Sequence, residues 1–426
     1  MNGTSVIYPL ADVNKTIQDL HIESGSGIYV TGTNGRRYLD LNSGLWNAPF
    51  GYGDEEYTKV ISEQLNKLHY INMINFSGPV ITDLADELID FTDNDFEKVF
   101  FTCSGSESVE CAIKIARKYM HIIGRKNCKT ILSMDMSYHG TTYAAMTASG
   151  MDGDETAEYS PLNEKIEYLE VPFFPSAPAS LAEQKAYEDA LEKRFAEDDI
   201  AAVLIEPVMA SGGIITLPDW YYNKLTELMK KYDVLFIADE VATGFYRTGK
   251  SFKYKDIPLK PDILCLSKAI TNGIIPMGAV LVNNKVFMRY SDENEYINHF
   301  STQCGNPLAC AAAEKTLSKF TDDVIENINL RSEQFRTSLE AMKNEKTNIR
   351  QIRIEGLMIG IDITDDEGKP LSMDELSCIM TYALQKCLLI YVFKCGEKCS
   401  GITLMPPYTI SESETNRVLK ILSEII

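Results

Sequence analysis

The sequence predicts an α/β protein with a mostly parallel, doubly wound sheet and a second, smaller α+β domain. Between about residues 98 and 320, short β-rich apolar runs alternate with stretches of helical periodicity, which is typical of parallel strands joined by crossover helices. The 426 residues exceed what a single hydrophobic core usually holds. Hydrophobic residues make up 45% and charged residues 24% of the chain, and no run reaches 18 apolar residues. These values favour a globular protein over a membrane or disordered one.

Turn residues, apolar runs and helical periodicity place the elements along the chain. In chain order they predict a strand, turn and strand from Gly27 to Leu41, with Thr33-Asn34-Gly35 as the turn; strands at Lys98 to Thr102, Thr130 to Met134, Ala201 to Glu206, Val234 to Asp239, Asp262 to Leu266 and Gly278 to Asn283; helices at Ser106 to Met120, Asp219 to Lys231 and Asn306 to Phe320; strands within Gln351 to Ile363; a helix at Met373 to Lys386; a strand at Leu388 to Phe393; and a helix at Ser411 to Ile426.

Two domains are expected, and one of them is discontinuous. Residues 50–320 form the large domain in this interpretation. Residues 1–49 are too few to hold a core of their own, so they are expected to pack with residues 321–426 as the small domain.

Charge and cysteine usage restrict the partners. The chain carries 41 Lys plus Arg against 61 Asp plus Glu, a formal charge of −20, so neither nucleic acid nor an anionic membrane is expected to bind. Residues 1–20 fit neither a signal nor a transit peptide, which favours the cytoplasm. Several of the ten cysteines lie in apolar strings and are expected to be reduced core residues. No metal site is predicted, because Cys387, Cys395 and Cys399 have no histidine or second cysteine pair nearby.

The first candidate site lies where a predicted strand meets a helix. Ligands of open parallel sheets bind outside the carboxyl ends of the strands. The strand ending at Thr102 leads into Ser104-Gly105-Ser106-Glu107 and a helix. Free N–H groups, a helix dipole and two hydroxyls suit a phosphate, although the same residues also fit an ordinary serine N-cap.

Two further strand ends carry charged residues. The run from Val234 ends in Asp239, and the next strand leads into Ser267 and Lys268. Burial lowers the pKa of a lysine toward the neutral amine that forms Schiff bases, whereas a snorkelling surface lysine is the simpler interpretation of any single residue. Pyridoxal 5'-phosphate (PLP) needs a phosphate site, an amine for its aldehyde and a carboxylate for its ring nitrogen. Tyr138 offers an aromatic partner for the ring.

With these residues in place, the chain resembles the class III PLP-dependent aminotransferases of fold type I over nearly its whole length. Some features resemble the diaminopelargonate-synthase and ω-amine transaminase branches. The matching motifs are Tyr8-Pro9, Ser43-Gly44-Leu45-Trp46, Ser104-Gly105-Ser106-Glu107, Tyr138-His139-Gly140, Ala238-Asp239-Glu240-Val241, Thr243-Gly244-Phe245, Arg247-Thr248-Gly249, Leu266-Ser267-Lys268-Ala269, Ser301-Thr302, Gly305-Asn306-Pro307 and Met405-Pro406-Pro407-Tyr408.

The resemblance implies a role for each matched residue. Lys268 is the Schiff-base lysine, Asp239 is the partner of the ring nitrogen, Tyr138 and Val241 pack on the two faces of the ring, and Thr302 reaches the phosphate bound in the other subunit of a homodimer. The remaining cofactor residues are then Ser104, Gly105, Ser106, His139 and Glu206, and the substrate pocket is expected to contain Tyr8, Trp46, Thr403, Met405 and Tyr408.

Departures from the family bear on the substrate. Many members that act on α-amino acids carry an arginine shortly before the Pro-Pro pair, where it binds the substrate carboxylate. Here that stretch is Gly401 to Met405, and Tyr391 is the nearest match to the arginine of the diaminopelargonate branch. We therefore expect an amine, or an amine carried on a larger molecule such as a peptide, whose carboxylate is distant or missing. Arg247 or Arg353 could restore carboxylate binding, and the sequence leaves that alternative open.

Three other functions are compatible with parts of the sequence. Mutases, epimerases and decarboxylases share the fold and the cofactor. Residues 244–251 also match the P-loop pattern of an NTPase, but no helical periodicity follows Ser251. A catalytically inert relative that binds a partner protein would not need the lysine. Transfer of an amino group to a carbonyl acceptor is the favoured function.

Overall fold

The computed structural model describes residues 5–9, 20–152, 156–159, 165–175 and 177–426. Its strands are β1 (Ile22–Ser26), β2 (Tyr29–Gly32), β3 (Arg37–Asp40), β4 (Lys98–Thr102), β5 (Thr130–Met134), β6 (Ile166–Leu169), β7 (Ile200–Ile205), β8 (Leu235–Asp239), β9 (Ile263–Leu266), β10 (Gly278–Val282), β11 (Ile349–Glu355), β12 (Met358–Ile363), β13 (Leu388–Leu389), β14 (Tyr391–Cys395) and β15 (Cys399–Leu404). Its helices are α1 (Glu55–Lys67), α2 (Pro79–Phe91), α3 (Gly105–Ile122), α4 (Tyr143–Ala148), α5 (Leu181–Phe195), α6 (Asp219–Tyr232), α7 (Asn284–Asp292), α8 (Pro307–Leu317), α9 (Asp322–Glu345), α10 (Met373–Gln385) and α11 (Glu412–Ile425).

A seven-stranded sheet forms the centre, with the order β4-β10-β9-β8-β7-β5-β6. The strands from β9 to β6 are parallel, whereas β10 is antiparallel to both of its neighbours. Consecutive residues of β7 enter apolar cores on opposite faces, with Val203 on one side and Leu204 on the other. Both faces are therefore covered, as in a doubly wound sheet. The six strands that the sequence predicts for this sheet are all present, and β6 is an additional edge strand.

Two smaller sheets bring the two ends of the chain together. One has the order β1-β2-β3-β13, so an N-terminal strand pairs with residues near 388, and the other has the order β11-β12-β15-β14. Ile28 and Leu39 share an apolar core with residues of α9, α10 and α11. The expected division at residues 49/50 and 320/321 stays a prediction.

The prediction of one continuous strand from Leu388 to Phe393 is wrong. The structure has two strands there, because β13 pairs in parallel with β3 while β14 pairs with β15. The chain changes sheets at Ile390, and periodicity along the sequence does not report such a change of partner. The following strand, β15, was not predicted.

Most of residues 1–20, which the sequence does not predict to be a signal or transit peptide, lie outside the described residues. Within the described ranges no helix is long and apolar enough to cross a membrane. All ten cysteines are free thiols. Among the residues that the structure describes, no group of three or more His, Cys, Asp or Glu side chains is placed to hold a metal ion.

Candidate active site

A cavity of about 170 Å³ lies at the carboxyl ends of β4, β8 and β9. This is the edge at which ligands of open α/β sheets bind. The structure thus brings together residues that are up to 222 positions apart in the chain. The cavity is lined by Trp46, Ser104, Gly105, Ser106, Tyr138, His139, Gly140, Glu206, Asp239, Val241, Ala242, Ser267 and Lys268.

One wall is the N-terminus of α3. Ser104 caps this 18-residue helix by accepting a hydrogen bond from the Glu107 N–H at 3.2 Å. A Cβ on Gly105 would lie 2.8 Å from Val241 Cγ1, so only glycine allows this approach. Ser106 Oγ accepts a hydrogen bond from the Thr141 N–H at 3.2 Å. The helix N-terminus therefore faces the cavity with N–H groups and small side chains, which is a favourable arrangement for an anion.

Lys268 lies two residues after the end of β9 and has a left-handed backbone, with φ of 43°. Its Nζ lies 4.6 Å from the centroid of the Trp46 ring. Burial lowers the pKa of Lys268, and the negative charges of Asp239 and Glu206 oppose that shift. Burial beside the cavity therefore destabilises the charged ammonium form of Lys268 and favours the neutral amine.

Two buried carboxyl groups and a histidine form a second wall. Asp239 Oδ2 lies 2.7 Å from His139 Nδ1, and Asp239 Oδ1 accepts the Val241 N–H at 3.0 Å. Glu206 Oε1 accepts the Tyr138 N–H at 2.8 Å. The pKa of Glu206 is raised to about 7. Burial is the main cause, the charge of Asp239 adds to the increase, and His139 opposes it. The His139 contact had no signal in the sequence beyond the motif that contains it.

The opposite wall is apolar. Trp46 and Met405 belong to one buried cluster, against which Ala242 packs. The ring of Trp46 also meets the ring of Tyr391 edge to face, with centroids 6.1 Å apart. Sequence reasoning missed the other members of the cluster; Val208 and Ala210 follow Glu206 closely enough to have been considered, whereas nothing in the sequence points to Ile214 or Met358.

Five predicted site residues do not line this cavity. Met405 is fully buried in the apolar cluster that contains Trp46. Tyr8 is half-buried elsewhere, and Thr302 is exposed, with its carbonyl accepting a hydrogen bond from Tyr70 Oη at 3.0 Å. Thr403 is buried in β15. Tyr408 is fully buried and donates to the Phe245 carbonyl at 2.7 Å, so it is a core residue.

The two arginines that could have bound a substrate carboxylate are engaged elsewhere. Arg247 is 1% exposed, donates to the Pro406 carbonyl at 2.7 Å and lies over the Tyr408 ring at 4.5 Å. Arg353 donates to the Gly213 carbonyl at 2.6 Å and pairs with Asp362 at 3.4 Å. Neither guanidinium lines the cavity.

The P-loop alternative is wrong for residues 244–251. A P-loop opens directly into a helix, but this stretch is followed by a short 3₁₀ helix at Lys253–Asp256.

The chain matches known proteins over nearly its whole length. The family model described as aminotransferase class-III matches residues 10–426. The chain is 31% identical to the adenosylmethionine-8-amino-7-oxononanoate aminotransferase of Staphylococcus aureus, covering 95% of this chain and 91% of that protein. It is 33% identical to gamma aminobutyrate transaminase 2 of Solanum lycopersicum, covering 94% and 90%. A PLP-bound amine transaminase from an uncultivated Pseudomonas species superposes with a TM-score of 0.90 at 30% identity, covering 99% and 98% of the two chains.

Proposed function

The chain belongs to the class III aminotransferases, and from that premise we propose that its donor is an amine whose carboxylate is distant or missing. It is a PLP-dependent transaminase of fold type I that moves an amino group from an amine to a carbonyl acceptor. The family, fold class, activity and cofactor predicted from the sequence are thus confirmed. The roles of individual residues and the identity of the donor are proposals.

The residues of the cavity fit PLP. Ser104, Gly105 and Ser106 at the N-terminus of α3 would hold the phosphate, and Gly105 leaves room for the Val241 side chain, which a Cβ would meet at 2.8 Å. When bound, PLP supplies an aldehyde for the amine and a protonated ring that takes up an electron pair. The phosphate site, the amine of Lys268 and the carboxylate of Asp239 line one cavity, which supports this assignment.

Asp239 and its neighbours would orient the ring and keep its nitrogen protonated. A buried carboxylate stabilises a nearby positive charge strongly because little water screens it. His139 holds one carboxylate oxygen at 2.7 Å and so fixes its direction. Tyr138 and Val241 would pack on the two ring faces, and Glu206 holds the backbone of Tyr138 through its N–H.

Lys268 would first bind the cofactor aldehyde through Nζ and then carry the proton of the substrate carbon. Both tasks require a neutral amine during part of the cycle. The lowered pKa of Lys268 supports this role.

The Trp46–Tyr391 contact carries the donor proposal. Tyr391 is the nearest match to an arginine of the diaminopelargonate branch, and its ring packs edge to face against Trp46. Arg247 and Arg353 are held by backbone carbonyls outside the cavity. A donor carboxylate beside the apolar face of Trp46 would be buried without a guanidinium to pair with, which is strongly unfavourable.

Matched pairs of donors test this proposal. We expect 4-aminobutyrate to react faster than glutamate, and butylamine faster than norvaline, because each pair differs only by the α-carboxylate. The expected advantage in kcat/KM is about 100-fold, since an unpaired buried charge costs about 3 kcal/mol or more. Absorbance changes of the cofactor on mixing holoenzyme with each donor measure these half-reactions.

A single substitution provides the control. Tyr391→Arg is expected to reduce the preference within each pair, because it adds a guanidinium beside Trp46. If glutamate or norvaline reacts at least as fast as its partner in the unmodified enzyme, the donor proposal is wrong.

We also propose that the enzyme works as a homodimer in the cytoplasm. Tyr70 contacts the Thr302 carbonyl, and nearby apolar residues are exposed: Ile74 at 68%, Phe76 at 61% and Phe300 at 47%. Large exposed apolar side chains on neighbouring segments are typical of an interface. A second subunit that covers them would bring Thr302 toward its cofactor phosphate.

Thr302→Ala is expected to weaken PLP retention by about 10- to 100-fold, because it removes one hydrogen bond to a charged group. Equilibrium dialysis of the holoenzyme measures this, and Thr302→Ser is the matched control because it keeps the hydroxyl.

Hybrid dimers locate the effect. One Lys268→Ala subunit paired with one Thr302→Ala subunit is expected to contain one site with full retention and activity, because the first subunit lends its threonine to the second. A hybrid whose active site loses PLP as readily as the Thr302→Ala homodimer would place the hydroxyl in its own subunit and overturn the proposal.

A further inference from the structure

The backbone that carries Trp46 is left-handed over four consecutive residues. The φ angles are 46° at Ser43, 57° at Gly44, 61° at Leu45 and 69° at Trp46. Only glycine adopts this region without steric strain, and consecutive non-glycine residues there are rare. We call residues 43–46 the left-handed turn. Such a conformation persists only where neighbouring groups hold it.

The carboxylate of Asp40 stabilises the left-handed turn by accepting three hydrogen bonds. Its Oδ1 accepts the Asn42 N–H at 2.8 Å and its Oδ2 accepts the Gly44 N–H at 2.7 Å. Oδ2 also accepts the Tyr52 hydroxyl at 2.6 Å. Asp40 is only 3% exposed, so these bonds form away from competing water. At the other side of the turn, Ser43 Oγ donates to the Met405 carbonyl at 2.6 Å.

The left-handed turn decides where the indole of Trp46 lies. Trp46 Nε1 is buried and has no hydrogen-bond partner among the described residues, so no polar contact of its own fixes the ring. The ring is placed instead by its backbone and by packing against Lys268 and Tyr391. A change in the backbone at residues 43–46 would therefore move the ring directly.

We infer that Asp40, together with Tyr52, is a positioning residue that holds the left-handed turn and thereby sets the position of Trp46 beside Lys268. Because Trp46 forms the apolar wall of the cavity, Asp40 governs how well the site discriminates between small and bulky amines. Asp40 itself does not line the cavity. This inference rests on the proposed function only for its consequence for substrates; the role in placing Trp46 is independent of it.

The chain contains two tryptophans, Trp46 and Trp220, so a Trp220→Phe parent reports on Trp46 alone. In that holoenzyme we would compare Asp40→Asn and Tyr52→Phe with the parent. Asparagine keeps one acceptor oxygen but turns an NH₂ group toward an N–H donor of the turn, whereas Tyr52→Phe removes one donor and leaves the carboxylate in place. Tyr57→Phe is the matched control, because it removes a buried hydroxyl that contacts Thr316 at 3.0 Å.

We expect acrylamide to quench Trp46 at least twofold more strongly in Asp40→Asn, with a smaller increase in Tyr52→Phe. The ratio of kcat/KM for 1-phenylpropylamine to that for butylamine is expected to change at least fivefold in Asp40→Asn. PLP content and Tm of each variant identify any that fails to fold. Tyr57→Phe is expected to leave both the quenching and the ratio unchanged.

Parental quenching and an unchanged ratio in folded Asp40→Asn would overturn the inference. If Asp40→Asn does not fold, Tyr52→Phe decides by the same two readouts. A parent that transfers no amino group from either amine would overturn the proposed donor class, while the quenching comparison still decides the role of Asp40.

Discussion

Lys268→Ala is expected to reduce turnover by about 10⁴-fold or more while some PLP still binds. In the proposed function the amine at Nζ both holds the cofactor and carries the substrate proton, and proton transfer alone contributes up to about 10⁴-fold. The helix N-terminus at Ser104 and the carboxylate of Asp239 stay in place, so noncovalent binding is retained. Steady-state rates and the amount of PLP per subunit after gel filtration measure the two effects.

Lys250→Ala is the control for this substitution. Lys250 is exposed, pairs with Asp256 and does not line the cavity, so its removal is expected to leave the rate unchanged. Unmodified rates in Lys268→Ala would show that the assignment of the lysine is wrong.

Asp239→Asn is expected to retain PLP but to lose about 10²- to 10⁴-fold in kcat. A neutral side chain no longer holds the proton on the ring nitrogen, and breaking a buried ion pair costs about 3–5 kcal/mol. The amide is nearly isosteric with the carboxylate, so the fold is expected to persist. The rate per bound cofactor, measured with a saturating amine, gives this loss directly.

The neighbouring residue Glu240 provides the control for Asp239. It tests whether the loss of any buried carboxylate lowers the rate, or only the loss of the one proposed to lie beside the ring nitrogen. Glu240 is fully buried and accepts hydrogen bonds from Thr243 and from the backbone of Tyr254, but it does not line the cavity. Glu240→Gln is expected to keep the rate per bound cofactor within about tenfold, less than the loss of a buried ion pair. An equal loss in both variants would argue against a specific role for Asp239.

The residues proposed to bind the cofactor could be predicted to lie together because each ends or follows an apolar strand in the sequence. Asp239 is the last residue of β8, and Ser104 and Lys268 lie two residues after the ends of β4 and β9. Parallel strands of one sheet bring such ends to one edge. The strand boundaries of β4 and β5 were predicted to the residue, since turn residues and charges delimit both apolar runs.

The substrate end was not predictable in the same way. Trp46 lines the cavity, and it packs in one buried cluster with Ile214, Met358 and Met405, which lie on different elements and show no pattern that singles them out from other apolar residues. Tyr408 was placed in the pocket by its motif, yet its hydroxyl is used in the core. The strain of the left-handed turn is likewise invisible in a sequence that contains one glycine at that place.

The transfer of the amino group itself is tested most directly by a single turnover with a nitrogen-labelled donor. Holoenzyme is mixed with ¹⁵N-butylamine in the absence of a carbonyl acceptor. The cofactor is then released, and its mass is measured by mass spectrometry. We predict one ¹⁵N atom on the cofactor per active site, together with one equivalent of butanal. If the amine reacts but the cofactor returns as unlabelled PLP, the enzyme does not transfer the amino group from this donor, and the proposed function is contradicted.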